Sequence, residues 1–221
     1  MDLGDQLIDE LGIVPPALVA LVGGGGKTTL MRALHDAGRR RAWRCVAGTT
    51  TKVYAAQADD LPGFLHQART GDKLVGREPA EVDAAFESGR YDLVVVEADG
   101  SRGRRVKAPA AHEPPIPGAA THVIAVIGGD AINRVIEDVA HRPMLTAAVC
   151  GCGPYERLTP ERAATLLTSE RGSRKHVPPG AHFAVAVTRI GPRQRDYADE
   201  LARLLRLSGV DVVLLASVDG Q

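Results

Sequence analysis

The chain has 221 residues and 44% of them are apolar, which suits one domain with a substantial buried core. Lysine and arginine together number 27, as do aspartate and glutamate, so the net charge gives no reason to expect broad affinity for nucleic acid or membranes. Aromatic residues make up 4% of the chain, too few for the stacking surfaces of proteins that bind single-stranded RNA or DNA.

Residues 1–16 are predicted to form a short helical lead-in to the domain. They are acidic and have no basic stretch before an apolar run, so they do not resemble a secretory signal. No apolar run anywhere approaches the roughly 20 residues that cross a bilayer, so we expect no membrane association. The apolar residues that recur at helical spacing are Leu3, Leu7, Ile8 and Leu11.

From residue 17 onward, strand patterns alternate with helix patterns. Strands are predicted, in chain order, at residues 17–22, 44–48, 91–100, 121–129, 182–191 and 211–218. Helices are predicted between them at residues 28–38, 79–89, 158–170 and 195–209. This alternation predicts an α/β fold with a doubly wound, mostly parallel sheet, formed by residues 1–221 as a single domain.

Local signals set some boundaries of these elements. Gly38 follows the apolar positions of the first helix and is predicted to end it. Thr159 is predicted to cap the third helix, with Pro160 at the first helical position. Residues 102–120 are rich in proline, glycine and arginine, and are predicted to form a long functional loop.

The first strand and the first helix are joined by a phosphate-binding loop pattern. Backbone amides approach an anion closely where no Cβ intervenes, and some of the glycines are expected to need a positive φ. The helix N-terminus adds partial positive charge, Lys27 supplies a full charge for the outer phosphates, and the Thr28 hydroxyl is placed to ligate Mg²⁺. The pattern therefore predicts a P-loop NTPase-type fold that binds ATP or GTP with Mg²⁺. Its residues are Gly23, Gly24, Gly25, Gly26, Lys27, Thr28 and Thr29.

This loop is shorter than the general pattern G-x-x-x-x-G-K-[ST]. That pattern would place its first glycine at position 21, which is Leu21 here, and the first available glycine is Gly23. The alternative interpretation of the four glycines is a tight turn between a strand and a helix.

Two carboxylates end the most apolar strand. Glu97 follows the run of three valines, and Asp99 lies two residues later, so strand alternation places both on the same face. A carboxylate at this position could hold Mg²⁺ or orient an attacking water. We interpret Lys27, Glu97 and Asp99 as catalytic candidates, and Thr28, Glu97 and Asp99 as metal-site candidates. An ordinary polar strand end is the alternative.

Two further segments could contact the ligands. The sequence GTTTK (48–52) ends the second strand, and Thr50 or Thr51 could lie near the metal and the γ-phosphate. Arg102, Arg104, Arg105 and Lys107 follow Asp99 and could grip a second anionic substrate or the transferred phosphoryl group. The alternatives are a solvated loop and a solvated run of charges.

Other polar pairs have weaker signals. His112-Glu113 and His141-Arg142 lie in predicted loops without metal-binding spacing. Thr188 and Arg189 stand where many P-loop GTPases carry a guanine-reading motif, and they do not supply that chemistry. The three cysteines form no disulfide framework, which predicts reduced thiols and a cytoplasmic location; they are Cys45, Cys150 and Cys152.

Together these segments give the chain a specific resemblance. VGGGGKTTLM, GTTTK, YDLVVVEADGSRGRRVKAPAAHEPPIP, VIGGDAINR and HRP occur in the order that is typical of the YqeC family, over residues 18 to 191. The resemblance implies a cytoplasmic bacterial P-loop protein that acts as an accessory factor for a selenium-dependent molybdenum hydroxylase. It implies nucleotide contacts from Gly23 through Thr29 and a second site at Glu97, Asp99, Arg102 and Lys107.

Three functions are consistent with these residues. The first is a Mg²⁺-dependent NTPase whose partner is a client molybdenum hydroxylase or its cofactor. The second is a small-molecule kinase in cofactor biosynthesis, and the third is a non-enzymatic, nucleotide-regulated metallochaperone that uses Cys150 and Cys152. Many P-loop proteins dimerise across the nucleotide, so the sequence leaves a homodimer open.

Overall fold

The computed structural model describes residues 2–216. Within this range the helices are α1 (Leu3–Glu10), α2 (Lys27–Arg40), α3 (Pro79–Glu87), α4 (Ile136–Val139), α5 (Pro143–Cys150), α6 (Pro160–Thr168) and α7 (Arg195–Leu207). The strands are β1 (Ala17–Gly23), β2 (Cys45–Thr49), β3 (Val53–Tyr54), β4 (Ala68–Thr70), β5 (Lys73–Val75), β6 (Leu93–Glu97), β7 (Val106–Lys107), β8 (His122–Gly128), β9 (Ala140–His141), β10 (His182–Ile190) and β11 (Asp211–Ala216).

Six of these strands form a parallel sheet in the order β11-β10-β8-β1-β6-β2. Every residue of β1 is buried, because a central parallel strand is covered on both faces, and this explains its continuous apolar sequence. The chain runs from β1 to the edge strand β2, returns to β6 beside β1, and then crosses to β8 on the other side. The strand order thus reverses at β1, and open α/β sheets bind ligands at such a point, beyond the carboxyl ends of the strands.

Side chains of β1 alternate between two apolar cores. Val19 and Leu21 pack in the core that contains the apolar residues of α1 and α2. Leu18, Ala20 and Val22 pack in the core that contains apolar residues of α3, α6 and α7. Helices therefore cover both faces of the sheet, and the predicted doubly wound α/β fold is confirmed.

The main elements lie close to their predicted positions, with local differences. Gly38, predicted to end the helix that follows the glycine loop, lies within α2, which continues to Arg40. A Cβ at Gly38 would lie 2.6 Å from Cys45 Sγ, so this glycine allows close packing of the helix on the sheet rather than a stop. Thr159 accepts a hydrogen bond from the Arg162 amide, as its predicted capping role requires. Residues 217–218 of the last predicted strand lie outside the described residues.

Several small elements have no counterpart in the predicted pattern. Strands β3, β5 and β4 form a separate antiparallel sheet between β2 and α3. Strand β7 lies in the predicted long loop 102–120 and pairs in parallel with β9, which aligns Lys107 with His141. The short helices α4 and α5 flank β9. Among residues 2–216, no helix has the length and apolar character needed to span a membrane.

Candidate functional site

The glycine loop wraps around the N-terminus of α2. Gly23, Gly25 and Gly26 have φ values of 87°, 89° and 130°, which side chains with a Cβ rarely adopt. The amides of Gly24 and Gly25 donate to the carbonyls of Val126 and Arg104. The amides of residues 26–29 have no acceptor within hydrogen-bond distance in the described chain, as is usual for the first four amides of a helix. These free amides make the helix end able to bind an anion.

Neighbouring backbone leaves no room for a Cβ at Gly23, Gly24 or Gly25. A Cβ on Gly24 would lie 2.6 Å from the Arg104 carbonyl oxygen, and one on Gly25 would lie 2.4 Å from the Gly128 amide nitrogen. The loop therefore packs directly against residues 104–106 and the end of β8. The buried Thr188 hydroxyl also donates to the Gly25 carbonyl, so this residue supports the loop.

We expect Gly25→Ala to destabilise the protein by about 2–4 kcal/mol, because the new methyl group meets fixed backbone and the residue keeps a positive φ. Gly63→Ala is the matched control, since Gly63 has φ of 68° and its new methyl group would have no neighbouring atom within 4 Å to displace. Urea unfolding of both variants measures the difference. Equal losses of stability would mean that the contact with Gly128 does not constrain the loop.

Lys27, Thr28 and Glu97 converge beside the loop. The Lys27 ammonium donates to the Gly23 carbonyl at 2.7 Å and lies 3.6 Å from Glu97 Oε1. The Thr28 hydroxyl donates to Glu97 Oε2 at 2.9 Å and accepts from Gln57 Nε2 at 2.8 Å. No sequence signal marks Gln57, because it lies in a short turn after β3 whose position depends on the small antiparallel sheet.

Asp99 contacts the glycine loop and Lys107 and does not line the cavity, in contrast to Glu97. Its carboxylate accepts from the Gly23 amide at 3.1 Å and from the Lys107 ammonium, so it supports the loop from behind. Burial raises the pKa of the Asp99 carboxyl, and Lys107, Lys27 and the Gly23 amide oppose that effect by stabilising the charged form. Of the two predicted metal-side carboxylates, only Glu97 lines the cavity described below.

Lys107 is the centre of a buried ionic network. Its side chain is 0% exposed, and its ammonium contacts Asp99, the Gly100 carbonyl at 2.7 Å and Glu113 at 3.0 Å. Glu113 in turn accepts two hydrogen bonds from the Arg142 guanidinium, at 2.5 and 3.1 Å. Burial alone would raise the pKa of Glu113, but hydrogen bonds from Arg142, the Ala110 amide and Lys107 lower it to about 2.

This network changes the interpretation of two sequence features. Lys107 lies outside the cavity lining, so the structure does not place it where it could grip an anionic substrate. The loop residues Glu113 and Arg142, which carried no metal-binding spacing, instead pair with each other across 29 positions of sequence. Only the fold reveals this pair.

A cavity of about 830 Å³ lies at the N-terminus of α2. Thr29, Thr51 and Arg102 line it, together with Lys27, Thr28 and Glu97, whereas Gly23 and Gly24 lie behind the lining. Two lining residues are acidic, Glu97 and Glu113. Eight are basic: Lys27, Lys52, Lys73, Arg102, Arg104, Arg105, Arg142 and Arg189. The cavity is therefore strongly positive in a chain with equal numbers of acidic and basic residues, which favours an anionic ligand.

Most of the residues that line this cavity lie in a region that matches a protein-family model. The model of the YqeC family, described as YqeC protein, matches residues 19–144. The chain belongs to the YqeC family. The matched region contains the glycine loop, Glu97, the buried Lys107 network and Arg142, and ends within α5. A relative in the family is the uncharacterized protein YqeC of Escherichia coli (strain K12), which is 28% identical over 235 residues, or 96% of this chain and 92% of the relative.

Solved structures with a similar arrangement of elements include two HypB proteins. The hydrogenase maturation factor HypB from Archaeoglobus fulgidus has a TM-score of 0.47 and 9% identity, over 97% of this chain and 86% of HypB. HypB from Helicobacter pylori in complex with nickel has a TM-score of 0.45 and 12% identity, over 98% of this chain and 84% of HypB.

The cysteine pair of this YqeC-family protein lies away from the cavity lining. Cys150 donates to the Arg162 carbonyl at 3.4 Å, and burial raises the pKa of its thiol to about 12. A thiol with such a pKa stays protonated near neutral pH, whereas metals bind the thiolate. In residues 2–216, no group of three or more His, Cys, Asp or Glu side chains is arranged to hold a metal ion.

Proposed function

We propose that this YqeC-family protein binds ATP or GTP with Mg²⁺ and hydrolyses it, and that hydrolysis serves the maturation of a selenium-dependent molybdenum hydroxylase or its cofactor. The observation that carries the proposal is the convergence of four free helix amides, the Lys27 ammonium and an excess of basic side chains on one cavity. A polyphosphate matches this arrangement in charge and in hydrogen-bonding capacity. The hydroxylase role rests only on what the sequence resemblance to the YqeC family implies.

The residues beside the loop fit a bound Mg²⁺ ion. Mg²⁺ prefers oxygen ligands and is usually held by one or two carboxylates together with substrate phosphates. The Thr28 hydroxyl and the Glu97 carboxylate lie 2.9 Å apart at the cavity wall, and they would supply the protein ligands. When bound, the ion neutralises negative charge on the phosphates.

Phosphate binding and support of the loop are assigned to side chains and amides of the protein itself. Lys27, which is 3% exposed, is held between the Gly23 carbonyl and Glu97 at the start of α2, where it would stabilise charge on the outer phosphates. The free amides of residues 26–29 bind and orient the phosphates. Gln57 donates to the Thr28 hydroxyl, which itself donates to Glu97, so the hydroxyl is held by both side chains. Asp99 holds the loop by its contact with the Gly23 amide.

Calorimetric titration with ATP, GTP and CTP, each with and without Mg²⁺, tests the binding step. We expect one purine nucleotide to bind with a Kd that tightens in the presence of Mg²⁺. Absence of binding for all three nucleotides in both conditions would overturn the proposal.

Glu97→Gln tests the hydrolytic step. The amide keeps the size of the side chain but loses the charge that would ligate Mg²⁺ or orient water, so we expect hydrolysis to fall by about 100-fold. Phosphate release at saturating nucleotide and Mg²⁺ measures this change. Glu87→Gln, at the end of α3 and outside the cavity lining, is the control, and we expect it to retain the parent rate. An unchanged rate in Glu97→Gln would exclude this role.

A small-molecule kinase is the second candidate function. The basic residues contributed by the segment after Asp99 extend the positive region beyond Lys27, and this observation favours a second substrate. Production of ADP or GDP that depends on an added acceptor would distinguish transfer from hydrolysis.

A further inference from the structure

Part of the cavity lining comes from residues that no nucleotide-loop pattern contains. Strands β7 and β9 pair so that Lys107 aligns with His141, and Arg142 follows directly. Arg102, from the segment after β6, lies near enough to lower the pKa of His141 by its charge. We call Arg102, His141 and Arg142 the β9 subsite; all three line the cavity.

The two arginines of the β9 subsite are held in different ways. Arg142 is fixed by its two hydrogen bonds to Glu113, which Lys107 fixes in turn. Arg102 is exposed and has no hydrogen-bond or ion-pair partner anywhere in residues 2–216. The negative charges of Asp99 and Glu113 neutralise the positive charges of Lys107 and Arg142, with which they form ion pairs. No acidic side chain of this network remains to neutralise the positive charge of Arg102.

The backbone at these arginines is strained. Arg102 has φ of 50°, Arg142 of 65° and Arg189 of 55°, and all three line the cavity. Only six non-glycine residues in the described part of the chain have positive φ, so half of them are arginines of this one cavity. Non-glycine residues with positive φ are uncommon and tend to occur at functional sites, where the fold sustains the strain.

His141 is a neutral group among these cations. Burial lowers its pKa most, and the charges of Arg142, Lys107 and Arg102 lower it further, to about 4. Neither ring nitrogen of His141 has a hydrogen-bond partner within residues 2–216; Nδ1 is enclosed, whereas Nε2 keeps contact with solvent. The imidazole therefore keeps unused hydrogen-bonding capacity in a positive environment, and an oxyanion would relieve the excess charge there.

We propose that the β9 subsite binds the phosphate or carboxylate group of a second small molecule beside the nucleotide. Arg102 supplies the unpaired charge, Arg142 is preorganised by Glu113, and His141 offers a neutral hydrogen-bonding group. A magnesium-bound triphosphate neutralises only part of the positive excess of the cavity. This proposal deepens the proposed nucleotide function and rests on it for the identity of the neighbouring ligand.

The test titrates inorganic phosphate, and separately malonate, into protein saturated with Mg²⁺ and a non-hydrolysable analogue of the purine nucleotide that binds. We expect at least one of the two anions to bind, and the difference between them to identify a phosphate or a carboxylate ligand. Arg102→Gln should weaken this anion binding at least tenfold while changing nucleotide affinity less than about twofold. Arg193→Gln, an exposed arginine outside the lining, should change neither.

Three results would overturn the β9 subsite. The first is that neither anion binds, and the second is that Arg102→Gln leaves anion binding unchanged. The third is a loss of nucleotide affinity in Arg102→Gln as large as the loss of anion affinity, which would assign the arginine to the triphosphate. The same anion titrations on nucleotide-free Lys27→Ala protein distinguish failure of the β9 subsite from failure of the proposed nucleotide function. We expect this variant to keep the anion binding that depends on Arg102, even though it binds nucleotide poorly.

Discussion

We expect Lys27→Ala to weaken nucleotide binding at least tenfold and to lower the kcat/KM of hydrolysis by 100-fold or more. The variant loses a charge-assisted contact to phosphate, which contributes roughly 1.5–3 kcal/mol, and also loses stabilisation of charge that develops in the transition state. Calorimetry with the preferred nucleotide and a phosphate-release assay measure the two effects.

Control variants must distinguish loss of the contact between Lys27 and phosphate from loss of folding stability. Lys27 is buried beside Glu97, so its removal also leaves a carboxylate without its ion pair. A double variant, Lys27→Ala with Glu97→Gln, removes that unpaired charge and should recover stability without recovering nucleotide affinity. Arg203→Ala, which breaks an exposed pair with Glu200 on α7, should leave both measurements unchanged. Parent-like binding and hydrolysis in folded Lys27→Ala would refute the phosphate role of the loop.

We expect Lys107→Met to destabilise the protein by about 3–5 kcal/mol, because it leaves Asp99 and Glu113 without the buried cation between them. A residue that only gripped an exposed substrate would have almost no effect on stability when replaced. Chemical denaturation of the nucleotide-free protein measures the loss.

A double variant tests the origin of that loss. Asp99→Asn keeps an oxygen that can accept from the Gly23 amide, yet removes the charge that Lys107 balances. Lys107→Met with Asp99→Asn should therefore be more stable than Lys107→Met alone, with a coupling energy of about 1–3 kcal/mol. A fully stable Lys107→Met variant with weakened nucleotide binding would instead support direct contact with the ligand.

The candidate site was predictable in part. The phosphate-binding loop was predictable because the first strand, the glycines, Lys27 and Thr28 are contiguous in the sequence. The structure places Lys27 and Thr28 within ion-pair and hydrogen-bond distance of Glu97. Gln57 was not predictable, because its position depends on the small antiparallel sheet. The positive cavity was hidden as well, since the whole chain is neutral and the basic residues converge only in the fold.

The order of residues was sufficient to predict the doubly wound α/β fold and the position of the loop, because apolar periodicity and glycine chemistry act over a few neighbouring residues. It was not sufficient to predict which carboxylate faces the cavity or that Lys107 is buried. Those features depend on contacts between distant segments, such as the pairing of β7 with β9 and the ion pair between Glu113 and Arg142. Contacts of this kind exist only in the folded chain, since burial and electrostatic pairing are set by which segments pack together.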